Sequence, residues 1–122
     1  LIVKPRTFKA FTMSVTLRTN LNCTEAVIAD DGTLNLFYQV AGIITNDLKT
    51  RFTRKLDEFD SISWEFKFRG YNLALHYNIY NGITIYPTKE CDPQSKYHAA
   101  TLEIANLLQD KLYHQVIKKN IA

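Results

Sequence analysis

Glu65, His76 and Tyr86 are the residues of this 122-residue chain whose types and spacing could move a proton. Each lies on the polar side of an alternating segment. A register that gathers the apolar alternates on one face places Glu65 across from His76, and His76 across from Tyr86, on adjacent strands. A carboxylate beside an imidazole fixes its tautomer and raises its pKa, and a phenol offers a second proton site. The same row is also what a polar ladder on a solvated sheet looks like, and no Ser or Cys sits in a recognisable nucleophile context. The reading is therefore a non-enzymatic protein, with a small-molecule binder or minor enzyme using Glu65 and His76 as the alternative.

Other chemistries find less. No two of His76, His98 and His114 stand at i, i+3 or i, i+4, so no metal is expected, and no glycine-rich loop could cradle a phosphate. No cofactor is implied. Cys23 and Cys91 are 68 positions apart and match no redox or metal spacing, which suggests two reduced thiols.

The row depends on a meander. Ile62, Trp64, Phe66 and Phe68 alternate with polar residues, as do Leu73, Leu75, Tyr77 and Ile79 after Arg69-Gly70-Tyr71-Asn72. A four-residue loop 69–72 pairs Phe68 with Leu73 and Trp64 with Tyr77. A three-residue loop Tyr80-Asn81-Gly82, with Gly82 in the left-handed region, then pairs Ile79 with Ile83 and Tyr77 with Ile85.

Elsewhere, short strands are expected at 15–17 and 26–29 and a longer one at 33–41, where Leu34, Leu36, Tyr38 and Val40 alternate with Asn35, Phe37 and Gln39. Leu48, Phe52, Leu56 and Phe59 form a stripe that predicts a helix of about 13 residues over 46–59. Asp92-Pro93 caps a second helix running to about Lys119, with Tyr97, Ala100, Thr101, Ile104, Leu107, Leu108 and Leu112 on one face. The expected fold class is α+β: a two-layer sandwich of a mixed, mostly antiparallel sheet with two helices on one face, in the order strand, strand, strand, helix, strand, strand, strand, helix. A right-handed crossover from 33–41 to 62–68 would supply the parallel pair.

The sheet face opposite the helices would gather Phe37, Glu65, His76, Asn78, Tyr80 and Tyr86. Aromatic and amide side chains with few charges suit the centre of a protein interface, so a protein partner or a homodimer is the expected occupant. Single-stranded nucleic acid could also stack there, but charge argues against it. Of fifteen Lys and Arg, three lie in the first twelve residues, which hold no acid, so residues 13–122 carry twelve charges of each sign. No apolar run approaches the roughly 20 residues of a membrane span. Residues 1–13 read as a tail, of which residues 1–12 lie outside the native chain if Met13, the sole methionine, is the start; residues 14–122 read as one domain.

The hairpin signals Leu75-His76-Tyr77 and Tyr80-Asn81-Gly82 resemble those of a family of small bacterial proteins classed only as a domain of unknown function. The resemblance covers residues 13 to about 112. It implies a bacterial cytoplasmic protein and no particular activity.

Overall fold

A computed structural model describes residues 16–20, 23–89 and 96–121. The expectations for residues 1–13, for the side chains of Cys23 and Cys91, and for the Asp92-Pro93 cap lie outside those residues. The strands are β1 (Thr16–Asn20), β2 (Cys23–Ala29), β3 (Phe52–Asp57), β4 (Ser61–Phe68), β5 (Tyr71–Asn78) and β6 (Gly82–Pro87). The helices are α1 (Leu34–Gly42), continued by a π-helical turn Ile43–Asp47, and α2 (Lys96–Ile121). The sheet runs β1-β2-β6-β5-β4-β3, and all five pairings are antiparallel. Both helices join one cluster with the apolar residues of one sheet face, among them Ala26, Phe66, Leu73, Leu75, Ile83 and Ile85. This is a two-layer α+β sandwich.

Two segments exchange roles relative to the periodicity reading. Residues 33–41, expected as a strand, form α1. The period of two in Leu34, Leu36, Tyr38 and Val40 coexists with Phe37, Val40, Ala41 and Ile44 at i, i+3, i+4 and i+7, and this second set is the buried one. Leu34 and Tyr38 are left exposed. Thr33 supplies the N-cap, its hydroxyl accepting from the Leu36 amide at 3.2 Å. At the other end Lys49 takes φ 55°, and the Thr50 amide reaches back six positions to the Ile44 carbonyl at 3.0 Å, a wide closing bond that follows the π-helical turn and stops the helix.

That stop falls inside the expected helix 46–59, whose second half becomes β3. The stripe of Leu48, Phe52, Leu56 and Phe59 does not share a face. Phe52 packs edge-on to Trp64 and Phe66, Leu56 is exposed on the other side of the sheet, and Phe59 stands fully exposed in the β3–β4 turn. Pairing with β4 overrides the local pattern. Because 33–41 is not a strand, the parallel crossover it would have fed has no place in the sheet.

The long helix follows its expected face. Ala100, Thr101, Ile104 and Leu108 are buried, and Tyr97, Leu107 and Leu112 pack against the core. Its Gln109 amide donates to the carbonyls of Val27 and Ile28, both at 3.3 Å, at the bulge where β2 shifts register against β6. A Gln39 to Gln115 hydrogen bond of 2.6 Å ties the helices together. Among the described residues no helix is long and apolar enough to cross a membrane.

Candidate functional site

Both hairpin loops differ from the expected ones: the first is two residues shorter, and the second keeps three residues but begins one position earlier. Arg69 (φ 52°) and Gly70 (φ 86°) form a two-residue loop with positive φ at both positions, as a type I′ turn requires, so Phe68 pairs with Tyr71 and Trp64 with Leu75. Arg69 tolerates this conformation while its guanidinium lies 5.2 Å from the Phe68 ring and 2.8 Å from Glu103. In the next hairpin Gly82 has φ 77°, the left-handed conformation expected of it, but it pairs with Asn78 and the loop is Ile79-Tyr80-Asn81. The Asn78 side chain accepts from the amides of Tyr80 and Asn81, both at 2.8 Å, and this Asx turn fixes the loop.

Each register therefore moves by two residues, which keeps the strand side chains on their expected faces and changes their neighbours, whereas Ile79, expected to pair with Ile83 on the apolar face, is left exposed in the loop. His76 lies across from Ser63 and Thr84, not from Glu65 and Tyr86. Glu65 pairs with Ala74 and with Arg54, and Tyr86 pairs with Ala74. Ser63 is the residue that sequence reasoning missed, and reading Arg69-Gly70 as a two-residue turn would have found it.

The resulting group is compact. Ser63 Oγ is 2.6 Å from His76 Nδ1 and 3.5 Å from the Tyr86 hydroxyl, and the His76 and Tyr86 rings are 5.7 Å apart between centroids. Val27, Ala74 and Thr84 beside them are buried, and the Thr84 hydroxyl has no hydrogen-bond partner among the described residues. Of the other expected face residues, Asn78 is committed to its turn and Tyr80 is 78% exposed at the hairpin tip. Phe37 is 0% exposed, in the core on the opposite side of the sheet, because its segment is helical. Its assignment to this face is corrected.

The chain matches no protein-family model, no curated protein and no solved structure. Its chemistry is read from these residues.

Burial lowers the pKa of His76 below the ordinary histidine value, and the carboxylates of Glu25 and Glu58 oppose that shift. The ring is neutral at pH 7. A neutral ring can take the Ser63 proton at Nδ1, which is half of what a serine nucleophile needs. The other half is a donor pair for an oxyanion. Ser63 sits in β4 between β3 and β5, where alternate backbone amides serve one ladder or the other, so the amides of its own strand are committed to the sheet. The arrangement orders a polar cluster of Ser63, His76 and Tyr86 among the described residues. Among the described residues no three His, Cys, Asp or Glu are grouped to hold a metal.

Two outcomes follow. Ser63→Ala removes the hydroxyl from His76 and is expected to lower stability by about 1 kcal/mol in urea unfolding. Unchanged stability, together with an unchanged His76 ring signal in NMR, would show that the 2.6 Å contact is idle. The second outcome concerns pH. With the folded pKa of His76 below the unfolded value of about 6.5, the unfolded chain takes up the proton first. The contribution is fully present above the unfolded pKa and is lost as pH falls through the folded one. Unfolding midpoints between pH 7 and pH 5 should therefore drop more steeply for the wild type than for His76→Gln, and parallel curves would refute the assignment.

Proposed function

We propose that this is a non-enzymatic protein–protein interaction domain of the bacterial cytoplasm that binds through the sheet face opposite the helices. The observation that carries the reading is that both helices pack in one cluster on one side of six strands. The centre of the other side holds the partly exposed, uncharged Ser63, His76 and Tyr86. Such a centre combines an aromatic ring and an imidazole with hydroxyls that offer directional hydrogen bonds, the composition of an interface core more than of a wet surface. Keeping His76 neutral supports the same reading, since a charged ring would cost far more to desolvate against a partner.

The test uses photo-crosslinking. A benzoylphenylalanine at Tyr86 is expected to give one discrete adduct in cells, whereas the same probe at Asn106, exposed on α2, gives none. Adducts from both positions alike, or from neither, would overturn the proposal. An adduct of twice the chain mass would identify the partner as a second copy meeting face to face.

A further inference from the structure

The free edge of β3 carries a second, independent message. β3 ends the sheet, and from Thr53 to Asp57 every residue is exposed. The amide of Glu58 donates to the Ser61 carbonyl at 2.8 Å, which makes these two a hydrogen-bonded pair. The pairs then alternate along the ladder, so Leu56 with Ser63 and Arg54 with Glu65 also bond to β4. Lys55 and Asp57 consequently point their backbone N–H and C=O groups outwards, away from the sheet.

The side chains along this edge read Arg54, Lys55, Leu56, Asp57, Glu58: two cations, a leucine, two anions. An antiparallel pair related by a two-fold axis through Leu56 sets Lys55 of each copy against Asp57 of the other and Arg54 against Glu58. All four pairs are of opposite charge, and both members of each lie on the same face, as a continuous sheet demands. In that register Lys55 and Asp57 form the hydrogen-bonded pairs, using the outward backbone groups, and the two Leu56 side chains form the closer, non-bonded pair on the axis. A slip of two residues either way brings Lys55 onto Lys55 or Asp57 onto Asp57. The charges thus select one register. Trp64 already holds two of the side chains in place, with the Lys55 ammonium 4.2 Å from its ring centroid and its indole N–H donating to Asp57 at 2.8 Å.

We propose that a second copy of this chain docks antiparallel on β3 about Leu56, joining two sheets into one of twelve strands. Leu56, 43% exposed on the same face as Ser63 and His76, is covered in the process, and the two candidate faces become one surface. The other sheet edge offers no such match, since β1 has no acid to meet its Arg18. This inference does not rest on the binding role of the face. Arg54 and Glu58 lie at the edge, away from Tyr86, so either proposal can fail alone.

Sedimentation equilibrium of the full chain tests it. The wild type is expected to dimerise, Arg54→Glu and Glu58→Arg each to weaken the dimer by on the order of tenfold, and the combined exchange to restore it. A monomer at every concentration up to about 1 mM, or a dimer that all three variants leave unchanged, overturns the proposal. Circular dichroism melts check that the variants fold. As a second measurement, Leu56→Cys is expected to form a disulfide-linked dimer under mild oxidation that neither the wild type nor Arg54→Cys forms. Equal cross-linking by the three proteins would refute the two-fold axis at Leu56.

Discussion

Gly82→Ala is expected to destabilise the protein by at least about 3 kcal/mol. Two causes act together. At φ 77° an L side chain meets its own backbone, a penalty on the order of 1 kcal/mol. A Cβ there would also lie 2.7 Å from both the carbonyl carbon and the oxygen of Asp30, and closer still to the carbonyl oxygen of Ala29. These are main-chain atoms at the end of β2, just past its bulge and beside the Ala29 to Ile83 pair, so relief requires moving a strand. Gly70 is the internal control. It has φ 86° but nothing within 4 Å of an added Cβ, so Gly70→Ala should pay the backbone penalty alone, about 1 kcal/mol. Urea unfolding of the two variants compares them directly. Equal losses would show that the β2 backbone yields, and that the close approach at Gly82 is not what holds this hairpin against its neighbour.

The expectations that held are those in which a strong local pattern and the tertiary environment agree. The meander 61–87 and the buried face of α2 were both legible, because their large apolar residues recur at one period and at no competing one. The face on which each side chain of the meander strands lies was legible too, since a register error of two residues preserves it. Its neighbour across the ladder was not. That depends on loop geometry, and a two-residue turn with Arg69 at positive φ is stabilised by contacts to Phe68 and Glu103 that no short-range rule supplies. Ser63 stayed hidden for that reason. The exchange of helix and strand between 33 and 59 has a different origin. There the sequence satisfies both periods, and what decides is which set of side chains finds a core: Phe37, Val40, Ala41 and Ile44 do, whereas Phe59 does not.

Phe37→Ala is the experiment that separates the two readings of that region. As a strand residue on the face opposite the helices, Phe37 would be half wet, and its truncation would change stability by no more than about 0.5 kcal/mol while weakening partner binding. In the structure it is 0% exposed and stands at the centre of an aromatic group: edge-on to Trp64 at 5.1 Å and to Tyr38 at 5.7 Å, and tilted against Tyr77 at 6.2 Å. Truncation removes the buried ring, leaves a cavity between α1 and the sheet, and breaks contacts that each add roughly 0.5–1.5 kcal/mol beyond burial. The expected loss is about 3–5 kcal/mol, a third or more of the stability of an ordinary domain. Tyr80→Ser, at the exposed hairpin tip, should stay within about 0.5 kcal/mol of wild type. Unfolding curves in which Phe37→Ala behaves like Tyr80→Ser would mean that 33–41 packs some other way. With it would go the argument that α1 and α2 share one side of the sheet and leave the other to a partner.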